Sequence, residues 1–308
     1  KGILHVIVVL EKPGDRFRIE YALRRDLVRA FRNLLGFTKE EDAENLLIIT
    51  LHRYDVQNIK TILRGKRIHA TPGEILDCTV PAGELDEAAL TELVKQPDVK
   101  AVIDLLATWG IVYARPLTKS FKEYSDSRDM LVLEYALDTY YYQNALETLK
   151  GGENEDYRVI REMVITEIDI SNLRTVFRVL RDQIDRDEAK RYLIEGSSEL
   201  GQATLLSMMK AGTLDGALKH LEHTRYQFLT QVSPEYVSAQ KISAFEKELD
   251  RYLVRKGIDY FVGDPLSIAY ALAYTWAKYA EVTNIRVIAR CLVSEVPEKD
   301  LREALISV

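Results

Sequence analysis

Cysteine is nearly missing from this chain. Cys78 and Cys291 stand far apart and no Cys-x-x-Cys occurs, so neither a disulfide framework nor a zinc site is expected, and a reducing, cytoplasmic setting fits best. Long apolar runs are missing too. The stretch Val6–Leu10 is far shorter than the ~20 residues that cross a bilayer. The Glu-Lys-Pro-Gly after it stands where a secretory leader would carry small residues before its cleavage point, so the stretch reads as a packed strand or helix. Positive charge is not in excess: 42 Lys and Arg face 48 Asp and Glu, giving a net charge of −6. A general binder of nucleic-acid backbones is thereby excluded. The glycine patterns that cradle phosphates, Gly-x-x-x-x-Gly-Lys-Ser/Thr and Gly-x-Gly-x-x-Gly, are absent. So is the Gly-x-Ser-x-Gly turn that presents a nucleophile, and neither cysteine has a local His or acid to activate it. The chain is expected neither to hydrolyse ATP nor to act as an enzyme.

Metal chemistry has little to work with. Of five histidines only His220 and His223 are close, and their i, i+3 spacing could present two ligands on one helical face. No acid separates them in the manner of zinc peptidases, so a solvated or half-buried helix surface is expected, with Thr224 and Tyr226 structural. Asp182, Asp185 and Asp187 form the one acidic row that a metal-dependent enzyme acting on a diphosphate could use. A matching second row is missing, and a solvated, charged turn is the expected reading. No cofactor and no metal are expected.

What is present is an ordinary globular composition, 47% apolar and 29% charged, sufficient for a real core. Within it one motif occurs three times: Asp55-Val-Gln-Asn58-Ile-Lys-Thr-Ile-Leu-Arg64, Asp169-Ile-Ser-Asn172-Leu-Arg-Thr-Val-Phe-Arg178 and Glu281-Val-Thr-Asn284-Ile-Arg-Val-Ile-Ala-Arg290. A second landmark, an apolar residue and Glu followed three positions on by Leu, falls at Glu20, Glu134 and Glu246, each 38 residues before its Asn. Leu85, Leu90 and Leu93 echo in Leu200, Leu205 and Met208. Two landmarks at one fixed separation define a repeat of roughly 112–118 residues, with boundaries expected at 1–66, 67–180 and 181–308. The first repeat is short, and the chain, which has no initiator Met, is expected to lack its beginning.

Val56, Ile59, Ile62 and Leu63, like Ile170, Leu173, Val176 and Phe177, follow the spacing of one helical face. Each motif therefore reads as an amphipathic helix, with a basic outer row in Lys60 and Arg64, Arg174 and Arg178, Arg286 and Arg290. Gly263-Asp264-Pro265 reads as a helix start, and Ala269, Ala273 and Ala277 as a small face for a close helix neighbour. Breaks are expected at 64–66, Thr71-Pro72-Gly73, Pro81-Ala82-Gly83, Gly151-Gly152 and Gly196-Ser-Ser, none long enough for a flexible linker. The recurring Asn could bind a ligand or serve as a buried hydrogen-bonding post; the post is favoured because buried polar groups usually serve the backbone. The recurring Glu is expected to pair with the recurring Arg rather than act as an acid catalyst.

The motif set, above all Gly263-Asp-Pro-Leu-Ser-Ile-Ala-Tyr-Ala-Leu-Ala-Tyr274 running into Glu281-Val-Thr-Asn-Ile-Arg286, resembles the C subunit of archaeal-type ATP synthases and its relative, the d subunit of vacuolar ATPases. That resemblance implies an all-α fold of three pseudo-symmetric helical repeats arranged as a funnel around a pseudo-threefold axis. It implies a non-catalytic central-stalk socket on the cytoplasmic side of the membrane, peripheral, with the central-shaft subunits and the membrane rotor ring as partners. Neither nucleotide nor the transported ion would bind. Two departures from the family's pattern stand out: its first helix is not recognisable here, and Arg290-Cys-Leu-Val replaces the Arg-Gly-Lys of Arg64–Lys66, so a basic contact is expected to be absent there. The repeated bases are candidate contact residues. The alternative is a helical-repeat scaffold or adaptor outside the rotary ATPases, an open stack with a concave face.

Overall fold

A computed structural model describes residues 15–37, 41–196, 199–232, 234–238, 241–262 and 267–306. Val6–Leu10 and Gly263-Asp264-Pro265 lie outside them. Every regular element among the described residues is helical. In chain order these are α1 (Asp15–Phe37), α2 (Glu41–Arg67), α3 (Pro72–Asp77), α4 (Glu87–Lys95), α5 (Val99–Thr108), α6 (Ala114–Ser127), α7 (Met130–Leu149) and α8 (Glu155–Asp182). Then come α9 (Arg186–Lys190), α10 (Gln202–Lys210), α11 (Leu214–Leu218), two 3-10 turns (Lys219–Leu221 and Gln227–Gln231), α12 (Pro234–Ser238), α13 (Ile242–Asp259), α14 (Ile268–Val293) and α15 (Glu298–Ala304).

Local chemistry sets many of the starts. Thr71 and Glu74 form a reciprocal capping box with Pro72 in the first turn of α3, satisfying amides that a helix end leaves bare. Asp86, Asp98, Asn154, Asp185 and Thr213 accept from first-turn amides of α4, α5, α8, α9 and α11. Two of the expected breaks are different in kind. Arg64–Lys66 lies inside α2, which continues to Arg67, and Thr71-Pro72-Gly73 begins a helix. Gly65 is there for contact: a Cβ at that position would lie 2.4 Å from Ile75 of α3.

The chain divides into two compact units, one comprising Lys1–Tyr141 with Gly257–Val308, the other Tyr142–Lys256. In the first, Ile19, Leu23, Leu27 and Phe31 of α1 pack with Leu51 and Tyr54 of α2 and with Val282 and Ala289 of α14. Ala273 is fully buried, and the Trp276 ring of α14 lies so near Gly257 that a Cβ there would come within 2.3 Å of it. In the second unit, Leu173, Val176, Phe177 and Leu180 of α8 form a core with Leu205, Met208 and Met209 of α10 and with Phe245 and Leu249 of α13. The apolar stripes behave as their spacing requires: Ile59, Ile62, Leu63, Leu173, Val176 and Phe177 are all 0% exposed.

The three Asn-bearing helices, α2, α8 and α14, finish alike. Eleven residues beyond each Asn stands a non-glycine residue with positive φ: His69 (58°), Gln183 (53°) and Glu295 (51°). Such a conformation costs roughly 1–2 kcal/mol for an L-residue and turns the chain sharply at a helix C-terminus. Two residues further on, Thr71, Asp185 and Pro297 take the N-cap of the short helices α3, α9 and α15. Each long helix thus leads through one reversal into a short helix lying back toward its own Asn.

Candidate functional site

That reversal brings a backbone segment to each recurring Asn. Asn58 Nδ2 donates to the Val80 carbonyl at 2.7 Å and Oδ1 accepts from the Val80 N–H at 2.7 Å. Asn172 does the same to Ile194, at 2.8 Å both ways, and Asn284 to Ile306, at 3.0 and 2.8 Å. In all three the partner is 22 residues downstream. A carboxamide carries a donor and an acceptor side by side, so it can complete both backbone groups of one extended residue as a neighbouring strand would. Asn58 and Asn172 are 2% and 0% exposed, which makes the match obligatory, since a buried peptide group without a partner is costly.

The acid opening each motif is not used uniformly. Asp55, 0% exposed, accepts from the amides of Glu84 and Leu85 at 2.8 and 2.9 Å. Burial outweighs these bonds and pushes its carboxyl up to about 6. Asp169, equally buried, accepts from the hydroxyl of Tyr226 at 2.8 Å, whose acidity burial and that carboxylate suppress. Glu281 is exposed and pairs with Lys278 at 2.9 Å.

The recurring Arg meets the recurring Glu of another copy. Arg64 on α2 forks onto Glu134 on α7 through Nε and Nη2, both at 2.6 Å. Arg178 on α8 reaches Glu246 on α13 at 3.1 and 2.6 Å. Arg290 on α14 reaches Glu20 on α1 at 3.1 and 2.8 Å. Arg64 gains proton affinity chiefly from the bond to Glu134. A second row runs one turn away: Lys60 with Asp138 and Arg174 with Asp250, both at 2.5 Å. Burial raises the Asp138 and Asp250 carboxyls although each has a base alongside. Where the third copy meets the first, the first copy has Arg24 in place of the second acid, and it instead donates to the carbonyls of Leu76 and Thr79. Arg286 therefore shares Glu20, at 2.6 Å. All six recurring bases pair with acids within the chain, the four Arg–Glu pairs as the recurring Glu and Arg lead one to expect.

Tyr226 and Gly83 read from sequence only as a structural residue and part of a chain break, without the acids they meet, and Asp138 and Asp250 were not singled out. The two aspartates could have been, because each follows its recurring Glu by four positions, one helical turn on. Tyr226 and the Gly83 loop are distant in sequence from the acids they meet, and no local pattern announces them. His220 and His223 are exposed on a 3-10 turn and the loop after it, and Asp182 and Asp185 serve as an ion-pair partner of Arg181 and as the cap of α9. Among the described residues no group of acids, histidines and cysteines is arranged to hold a metal. What recurs is a device for holding helices together: a carboxamide latch from each Asn to the backbone 22 residues downstream, and an arginine clasp onto the Glu of another copy.

Comparison with known proteins gives one consistent result. A family model described as ATP synthase (C/AC39) subunit matches residues 5–304. The chain is 28% identical to the C subunit of the A-type ATP synthase of Methanocaldococcus jannaschii over 306 residues, covering 99% of this chain and 75% of that one. It is 29% identical to that of Methanobrevibacter smithii, covering 99% and 78%, and 30% identical to that of Haloferax volcanii, covering 90% and 79%.

Proposed function

The chain belongs to the ATP synthase (C/AC39) subunit family, and from that membership we propose that it is a non-catalytic central-stalk subunit of a rotary A-type ATPase. It is a socket that couples the rotating shaft to the ion-translocating ring in the membrane. The observation that carries this is the order of the clasps. The Arg of the first copy holds the Glu of the second, the Arg of the second holds the Glu of the third, and the Arg of the third holds the Glu of the first. An open stack of repeats would leave its two ends unpaired; a cyclic order supports three repeats, 1–66, 67–180 and 181–308, set as a funnel about a pseudo-threefold axis. A socket that carries torque must keep its shape, and close-packed helices pinned at every seam deform little.

The partners in this reading are the central-shaft subunits on one side and the rotor ring on the other, with nucleotide bound elsewhere in the complex. No described helix is long and apolar enough to cross a membrane; in this reading the peripheral position at the ring, on the cytoplasmic side, rests on the family resemblance. The test is co-migration of the purified chain with the shaft subunits and, separately, with the detergent-solubilised ring of the same source at moderate salt. Binding to both supports the socket. Binding to neither, by protein shown to be folded, would move the chain to the class of helical scaffolds.

A further inference from the structure

Asp55 is a buried acid without a counter-cation. Its carboxylate meets only backbone amides of the segment that crosses it, Glu84 N–H at 2.8 Å and Leu85 N–H at 2.9 Å. Gly83 presses on it so closely that a Cβ there would stand 2.2 Å from Oδ2, leaving no space for water between segment and acid. The groups around it are His52 one turn earlier on α2, Glu84 on the segment itself, Tyr113 at the start of α6 and Tyr140 of α7, the two tyrosine rings packed edge to face at 6.0 Å. None of these is a permanent cation, and burial lowers the proton affinity of His52, the one that can gain positive charge. Two bases on neighbouring stretches are engaged elsewhere: Arg53 lies over the Trp276 ring at 4.1 Å, and Arg24 caps the carbonyls of Leu76 and Thr79. At its far end the segment inserts Leu85, 1% exposed, and passes into Asp86, the cap of α4.

We propose that Gly83–Leu85 is an acid-tightened strap, closed most firmly over a neutral Asp55 and loosened when that carboxyl loses its proton. A buried carboxylate that no cation offsets disfavours ionisation, and opening the strap returns it to water. The sign follows from linkage. With the strap closed the carboxyl titrates at about 6, against an ordinary value of 3.8 in water, so the proton binds the closed form more tightly and acid favours closure. As pH climbs from about 4 to about 6, opening becomes easier by up to about a hundred-fold, and above that the effect levels off. The other two copies are built differently: a buried tyrosine hydroxyl serves Asp169, and Glu281 is exposed beside Lys278. The strap is a property of the chain by itself and stands apart from the coupling role.

The experiment uses the full chain, following amide exchange of Glu84 and Leu85 between about pH 4.5 and 7.5, corrected for the intrinsic rate, alongside the carboxyl carbon resonance of Asp55. The expected result is protection that falls as Asp55 ionises, with one shared midpoint. Glu84→Gln removes a neighbouring negative charge at an exposed position and should move that midpoint down; Asp55→Asn should make protection independent of pH. If Asp55→Asn does not fold, the profiles of the native chain and Glu84→Gln decide the matter. An Asp55 resonance titrating at its ordinary value, or protection that stays flat or rises through its ionisation, overturns the proposal.

Discussion

A carboxamide holds a donor and an acceptor side by side at any pH, so it can complete both the N–H and the C=O of a facing residue, as Asn does at positions 58, 172 and 284. Asn172, fully buried, is the cleanest place to measure it. Asn172→Ala would leave both backbone groups of Ile194 without partners, at about 1–3 kcal/mol each. Asn172→Asp would set an oxygen against the Ile194 carbonyl and bury a charge as well. Both should lower the urea midpoint of unfolding, Asp more than Ala at neutral pH, and the gap should narrow on acidification because a protonated Asp regains a donor. Equal midpoints for native chain and Ala variant would show that the latch contributes nothing. At this scale the sequence was legible where residues recur in register. Repetition exposed the Asn, the Arg and the Glu. It could not expose Gly83 or Tyr226, whose partners lie 28 and 57 residues away and are set by loop geometry.

At the scale of elements, the apolar stripes of α2 and α8 could be read directly because helical spacing determines which side chains share a face. Boundaries were less legible, and the reason is physical. Glycine at position 65 looks like a break, yet a helix tolerates glycine at about 1 kcal/mol, and here the missing Cβ lets Ile75 of α3 lie against α2. Gly65→Ala should therefore destabilise, although alanine is the better helix former, and pairing it with Ile75→Ala should restore part of the loss. Greater thermal stability in Gly65→Ala alone would contradict the packing account. The basic rows combine both expectations: spacing places them off the apolar stripe, where Arg64, Arg178 and Arg290 stay more than half exposed, and they pair with acids on other helices. Their worth is modest. Arg178 is 55% exposed at its side chain and Glu246 27%, so a double-mutant cycle with Arg178→Gln and Glu246→Gln should give a coupling of about 0.2–1 kcal/mol that shrinks with salt. A coupling indistinguishable from zero at low salt would mean that the clasp sets register without adding stability.

For the whole molecule, family membership carries the ATP synthase context, and the cyclic order of clasps supplies the physical content of the socket reading. The contact between first and third copies is the informative one, because a linear array has no use for it. It is also chemically unlike the other two, since Arg286 and Arg290 share Glu20 where the other copies provide two acids. Removing both bases, in Arg286→Gln with Arg290→Gln, withdraws two partly exposed pairs and up to about 2 kcal/mol. The apolar contact between α1 and α14 remains and should keep the chain folded. If the ring partner requires a closed socket, that loss must be made good on binding, and affinity for the solubilised ring should fall by up to about 30-fold. Arg64→Gln with Lys60→Gln serves as the comparison, because it weakens an equivalent seam that any linear array would also possess. A loss confined to the first pair of substitutions would tie binding to closure between first and third copies. Equal losses for both would tie it to general rigidity, and no loss for either would remove these seams from the account of coupling altogether.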